Sequence, residues 1–388
     1  MAVDEQRYAA NLSALTRSSL HALICSSPTS VLLLTGYWPV MGGSVVVMTA
    51  NGSLFAILPE DEREIAQATS SAEIITYTPQ TPGGLDPPIH ALSTTLGPLL
   101  DSLSLSAKNV GIEFRLGMQP ASYLTSHVFH TSLIDQLESF RLSARFVSAD
   151  LTLDSLKSIK TSKELSLIRH SATVASDGFG KAAKCIKPGL REAEVAAEFQ
   201  YAFDRSSCAE GLERSYGSFY CMSGPNSAKA SAGYARTRQR VICSGDLVMI
   251  HANTCADGYW TDITRTYIAG TPDVRQRAMY SAIAEARGAA IDAVRPGAKA
   301  SMVDQAARDV MTAHGFGAAF RHSTGHGVGF AAADANAQPR IHPQSPDILI
   351  EGMTFNVEPA AYIDGYGGMR VCDVVAVTST GASVVTDF

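Results

Sequence analysis

Apolar and polar positions follow different rhythms along this chain, and the change of rhythm divides it. An opening amphipathic stretch is followed by two apolar runs, Ser30-Val-Leu-Leu-Leu-Thr35 and Ser44-Val-Val-Val-Met-Thr49, that predict strands. A proline- and glycine-rich loop between Thr76 and Pro88 (Pro79, Pro82, Gly83, Gly84, Pro87, Pro88) precedes further helix-like and strand-like segments. This mixture predicts an α/β domain over residues 1–150. Near residues 148–163 the chain turns polar, and Thr161-Ser-Lys-Glu164 has capping-box spacing, in which hydroxyl and carboxylate each satisfy the other residue's backbone N–H. A second domain, 151–388, is expected to begin there.

The second domain repeats itself. A helical pattern over Glu164–Cys185 ends in Ile186-Lys-Pro-Gly189, and another over Val274–Ala293 ends in Val294-Arg-Pro-Gly297. Each leads into a second helical pattern, Glu192–Phe203 and Met302–His314, and then into glycine-punctuated, strand-like sequence. Pro-Gly is a common helix stop in its own right; read as a repeat, the two occurrences predict paired α-α-β units and a pseudo-symmetric domain.

Composition narrows the function classes. With 388 residues, 46% hydrophobic and 18% charged, the chain suits a two-domain globular protein. Thirty-one Lys plus Arg against 37 Asp plus Glu give a net charge of −6 with no basic run, so nucleic acid is not an expected partner. No apolar run approaches the roughly 18 residues that span a bilayer, and the polar, acidic first residues do not read as a signal peptide. No membrane association and a cytoplasmic location are therefore expected. Seven cysteines without a CxxC pair disfavour both a disulfide framework and a zinc ribbon.

Candidate chemistry lies in the last third. Leu247-Val-Met-Ile-His251-Ala-Asn and Tyr259-Trp-Thr-Asp262-Ile-Thr-Arg-Thr-Tyr267 flank Asp257-Gly258, a hairpin signal. A turn centred between 256 and 257 sets His251 opposite Asp262; one centred in Asp257-Gly258 pairs His251 with Thr264 and leaves Asp262 diagonal. Both registers keep the two side chains on one face. Further on stand His322-Ser-Thr-Gly-His326-Gly-Val-Gly329, Glu358 at the end of the apolar run from Gly352, and Gly368-Met-Arg370-Val-Cys372-Asp373. A carboxylate in such a run needs a partner, and an ordinary ion pair between Glu358 and Arg370 would supply one.

These segments, with Leu156-Lys-Ser-Ile-Lys160, Lys187-Pro-Gly189, Ser223-Gly-Pro-Asn226 and Gly245-Asp246, resemble in order the signposts of the pita-bread hydrolases, the family of prolidase, aminopeptidase P, methionine aminopeptidase and creatinase. The resemblance covers nearly the whole chain. It implies an α/β fold: an N-terminal creatinase-like α/β domain, then a pseudo-symmetric pita-bread domain with the site between its halves. In metal-dependent members Asp, Asp, His, Glu and Glu hold two divalent ions. Asp262, His326 and Glu358 match three of these positions, while His251 and Cys372 stand at the other two. Ser231 and Asn336 stand where the family carries catalytic histidines; His322 and Arg370 are kept.

The resemblance therefore implies a C–N bond hydrolase acting on a small, carboxylate-bearing molecule or dipeptide. His326, Glu358, His251 and Asp262 are the expected catalytic residues, with Arg370, His322 and Cys372 on the substrate. With two carboxylates replaced, two manganese or cobalt ions are disfavoured, and a creatinase-like pocket without metal is preferred. The alternatives are one zinc held by Asp262, His326, Glu358 and Cys372 with His251 as a fifth donor, giving a Xaa-Pro dipeptidase-type peptidase, and a non-catalytic binding module. Leu34-Thr-Gly-Tyr-Trp38-Pro resembles a stretch near the partner's site in prolidase-like dimers, so a homodimer is expected.

Overall fold

The computed structural model describes residues 4–79, 82–83, 87–115, 124–140, 143–209, 212–232, 236–333, 338–386 and 388. Gly84 of the expected loop and Asn336 lie outside the described residues. The chain divides into two compact units, Met1–Lys157 and Ser158–Phe388.

In the first unit, strands β1 (Ala22–Cys25), β2 (Val45–Thr49), β3 (Leu54–Pro59), β4 (Glu73–Tyr77), β5 (Asn109–Ile112) and β6 (Arg145–Ser148) form one sheet in the order β4-β3-β2-β1-β5-β6. Helices α1 (Glu5–Arg17), α2 (Pro28–Thr35), α3 (Arg63–Thr69), α4 (Pro88–Ser102) and α5 (Leu124–Ser139) alternate with the strands except at the β2–β3 hairpin, and α6 (Asp150–Ser158) follows β6. Leu92, Leu96 and Leu100 of α4 pack with Ile24, Val47, Ile57 and Val110 in a core cluster. One expectation is corrected here: Ser30–Thr35 is helix α2, not a strand. Ser27 caps it by accepting from the Ser30 N–H, Pro28 fits the first turn, and Gly36 ends it with φ +79°. The helix is buried on every side from Ser30 to Thr35, so its sequence carries no 3.6-residue period to read.

The second unit contains the repeat. Its first half is α7 (Ser162–Ala182), α8 (Glu192–Ala209) and the antiparallel sheet β7-β8-β9 (Ser215–Ser223, Leu247–Ala256, Tyr259–Ile268). Its second half is α9 (Val274–Asp292), α10 (Ala300–Ala313) and short strands β10 (Thr354–Val357), β11 (Ala360–Ile363), β12 (Gly367–Arg370), β13 (Asp373–Val377) and β14 (Ala382–Val384), paired as β10-β13-β14 and β11-β12. The capping box at Thr161 and Glu164 starts α7.

The two Pro-Gly stops play the same part in both halves. Gly189 and Gly297 have φ +95° and +83°, and their N–H groups donate to Ile242 O and Leu349 O, each at 2.9 Å. Those two residues donate in return to Leu190 O and Ala298 O, each at 2.8 Å. Equivalent hydrogen bonds at equivalent points make the repeat structural rather than a coincidence of helix stops. Two core clusters form: Phe179, Phe199, Phe203 and Phe219 gather within the first half, and Met279, Ile283, Met311 and Phe355 of the second half pack with Met222, Leu247 and Met249 of the first. A two-residue bridge, Thr264 with Cys372, stitches β9 to the second half and so brings side chains from both halves to one place.

Candidate functional site

Strand pairing decides what His251 and Asp262 face. The β8–β9 hairpin turns at Asp257-Gly258, both with positive φ, and pairs His251 with Thr264 and Asn253 with Asp262. This is the second of the two registers considered, with Asp262 diagonal to His251. The imidazole Nδ1 lies 3.0 Å from Thr264 Oγ1 and 3.4 Å from Asp262 Oδ1.

The glycine-flanked histidine loop is clamped onto β10. A Cβ at Gly325 would lie 1.8 Å from the Asn356 carbonyl oxygen, so only glycine allows this approach. Next to it, the His326 N–H donates to Asn356 Oδ1 at 2.7 Å, and the Asn356 N–H donates to His326 O at 3.0 Å. His326 Nδ1 lies 3.1 Å from Gly327 O, an acceptor only, so this nitrogen carries the hydrogen and Nε2 presents its lone pair to the pocket. Around Nε2 stand Asn356 Nδ2 at 3.1 Å, Asp262 Oδ2 at 3.5 Å and Glu358 Oε1 at 3.9 Å. The Glu358 N–H donates to Thr324 O at 2.8 Å, and Thr324 is in turn held by the buried Asp304 through its N–H (2.8 Å) and hydroxyl (2.9 Å).

Arg370 closes the other side. Its guanidinium is buried 3.7 Å from Glu358 Oε2 and donates to Thr264 Oγ1 at 3.1 Å and to the Tyr362 hydroxyl at 3.3 Å. Tyr362 then donates to His322 Nε2 at 2.9 Å, because His322 Nδ1 is committed to Ser323 O at 2.7 Å. The chain Arg370–Tyr362–His322 aims the guanidinium through two uncharged partners. The Cys372 thiol is buried, 3.3 Å from the Asp262 carbonyl oxygen and 3.8 Å from its Oδ1.

Burial and like charge set the protonation pattern. Burial, reinforced by the Glu358 carboxylate, raises Asp262 to about 7, while His326 and Arg370 pull it down. Burial also pushes His251 well below its ordinary value, with Arg370 adding to the effect, and His322 is lowered chiefly by burial. The Cys372 thiol is driven well above its usual range by burial and then by Asp262, which keeps it protonated. Burial raises the Tyr362 hydroxyl to about 12.

The structure thus brings together His251, Asp262, His326, Glu358, Arg370 and Cys372, with His322 one relay behind. Glu358 does lie beside Arg370, but it also faces His326. Sequence reasoning missed Asn356, Thr264 and Tyr362. A signal for Asn356 existed: it stands two residues before Glu358, and period-two alternation puts it on the same face.

A six-stranded α/β unit followed by paired α-α-β halves, with imidazole, carboxylate and guanidinium groups gathered where those halves meet, is the architecture of a pita-bread hydrolase. The chain belongs to metallopeptidase family M24, whose model matches residues 166–379, preceded by a creatinase/prolidase N-terminal domain over residues 7–153. It is 30% identical to the Xaa-Pro dipeptidase of Pyrococcus furiosus over 95% of this chain and 94% of the relative. Among solved structures, the prolidase from Pyrococcus furiosus covers 97% of this chain and 99% of its own at a TM-score of 0.77 and 27% identity. The prolidase from Pyrococcus horikoshii covers 99% and 98% at 0.79 and 25%. At the level of its class the chain is a C–N bond hydrolase.

Family membership corrects the cofactor expectation. The preference for a pocket without metal, with one zinc as the alternative and two manganese or cobalt ions disfavoured, is overturned because the matching family is one of metallopeptidases. Ligating chemistry in the pocket resides in Asp262, His326 and Glu358, with His251 and Cys372 beside them. As arranged, these side chains do not fit an ion: among the described residues no group of three or more His, Cys, Asp or Glu could hold one. The Asn356 amide stands among them, and the Cys372 thiol keeps its proton. Among the described residues, no helix is long and apolar enough to cross a membrane.

Proposed function

We propose that this protein hydrolyses the amide C–N bond of a small peptide that carries a free carboxylate, with Xaa-Pro dipeptides as the substrates to try first. The observation that carries the reading is the buried Arg370 guanidinium, 3.7 Å from Glu358 and braced by Thr264 and Tyr362, on the pocket into which His326 presents Nε2. A planar, pre-aimed guanidinium suits a carboxylate better than any neutral group. The name of the Pyrococcus furiosus relative, Xaa-Pro dipeptidase, supports the same class of substrate.

In this reading the substrate carboxylate pairs with Arg370, which leaves Glu358 free to act on water. As the water oxygen bonds to the carbonyl carbon, Glu358 takes its proton; as the C–N bond breaks, the proton passes to the leaving nitrogen. Asp262, raised to about 7 by burial and the Glu358 carboxylate, can in its protonated form donate a hydrogen bond to the oxyanion. His251 and His322, both lowered, serve as neutral hydrogen-bonding groups.

The test compares Xaa-Pro dipeptides with the same peptides amidated at the C-terminus, across a series of added divalent metals. Free dipeptides should be cleaved and amidated ones poorly. Arg370→Met should raise KM about tenfold or more, the worth of one charge-assisted pair, and Glu358→Gln should lower kcat by about 10²–10⁴. Equal cleavage of free and amidated peptides, or no cleavage of either with any metal, would overturn the reading.

A further inference from the structure

We propose that the side-chain amide of Asn356 sets how tightly this pocket takes a divalent cation, by holding its N–H₂ hydrogens against the lone pairs an ion would need. The inference rests on the metallopeptidase membership and addresses why the donors as arranged do not fit an ion.

The amide has one orientation. Its Oδ1 accepts the His326 backbone N–H at 2.7 Å, so the N–H₂ must face the other way. There it lies 3.1 Å from His326 Nε2, 3.4 Å from Asp262 Oδ2 and 3.5 Å from Cys372 Sγ. His326 cannot avoid it, because Nδ1 is tied to Gly327 O and Nε2 is the nitrogen that accepts. An ion would have to come within about 2.0–2.2 Å of those same nitrogen and oxygen atoms. Hydrogens and a cation cannot share the same lone pairs.

Moving the amide aside is costly. Asn356 is fully buried on β10, and its backbone N–H is bonded to His326 O. Turning the amide over would offer Oδ1 to the pocket but would leave the His326 N–H facing the N–H₂. A buried donor without an acceptor costs about 1–3 kcal/mol. Each cation that enters must meet this cost, so the amide acts as an internal competitor with the metal and is a positioning residue, not a catalytic one.

Asn356→Asp is the sharpest variant: it keeps an oxygen for the His326 N–H and replaces the N–H₂ with a second oxygen of nearly the same shape. Asn356→Ala removes the competitor without adding a charge. The full-length protein, stripped of metal, is titrated calorimetrically with Mn²⁺ and with Zn²⁺, and its melting temperature is followed with and without each ion. Folding of both variants is checked by circular dichroism. The expected result is a Kd lower than wild type by about tenfold or more for Asn356→Asp, and by about three- to tenfold for Asn356→Ala, the worth of roughly one hydrogen bond. Folded variants that bind the ions no more tightly than wild type would overturn the proposal, as would a wild type and variants that all take up no ion. Turnover is not the readout, so failure of the peptidase reading would show separately in the dipeptide assay.

Discussion

Asp262 and Asp373 are both buried carboxylates on strands of the same unit, and the thiol of Cys372 contacts one while its backbone neighbour is the other. Their surroundings are opposite. Asp373 is held by two guanidinium groups: Oδ1 accepts from Arg265 at 2.7 Å and from Thr386 Oγ1 at 2.9 Å, and Oδ2 accepts from Arg287 Nε at 2.6 Å. Asp262 touches an imidazole on either side, an amide and a thiol, with the like-charged Glu358 near enough to help raise it to about 7. One carboxylate is fully neutralised and fastens β9 and α9 to β13. The other is left short of positive charge and so can exchange protons or attract a cation. Where the arginines stand, rather than how deeply the acids are buried, separates scaffold from site.

Asp373→Ala gives the largest expected effect. It leaves two part-buried guanidiniums without their carboxylate and should cost about 3–5 kcal/mol of stability, read as a lowered urea midpoint. A loss below about 1 kcal/mol, within the range of ordinary surface changes, would erase the contrast.

Asp262→Asn should behave in the opposite way, abolishing turnover without lowering stability at pH 6. The sign with pH follows from the raised value. Between the unfolded carboxylate's pKa and about 7 the folded state binds more protons than the unfolded one, so the Asp262 contribution to stability falls as pH rises through that window. Melting of the metal-stripped proteins from pH 4.5 to 8 should show Asp262→Asn gaining on wild type as pH rises. A gap that narrows instead would contradict the assignment.

A smaller effect belongs to His322. Its lowered pKa means that below about 6.5 the unfolded chain takes up a proton that the folded imidazole resists, so this group costs stability as pH falls. His322→Gln should flatten the acid limb of the melting curve between pH 7 and 5. An unchanged limb would remove His322 from the titrating side of the comparison.

Much of this arrangement is legible in the sequence because it depends on local spacing. The hairpin at Asp257-Gly258 fixes the parity that puts His251 and Asp262 on one face, and the glycines around His326 announce a close backbone approach, realised at Gly325 against Asn356. The capping box at Thr161 and the two Pro-Gly stops are equally local. Helix α2 was hidden because a run buried on all sides carries no period. The Asn356 amide was hidden for another reason: its role comes from Oδ1 capturing a backbone N–H thirty residues away in sequence, a contact that no spacing announces.

By itself the sequence determined the α/β alternation, the doubled α-α-β pattern, and the facing of His251 and Asp262 on one side of their hairpin, since periodicity and turn chemistry are properties of neighbouring residues. Tertiary structure alone decided the rest. It chose the register that sets His251 against Thr264, committed Arg265 and Arg287 to Asp373 and Arg370 to the pocket, and turned the Asn356 N–H₂ toward His326 and Asp262. Those choices depend on which charges and hydrogen-bond partners the fold brings within a few ångströms across as many as 108 residues of chain, and electrostatic and hydrogen-bond energies are set at that distance.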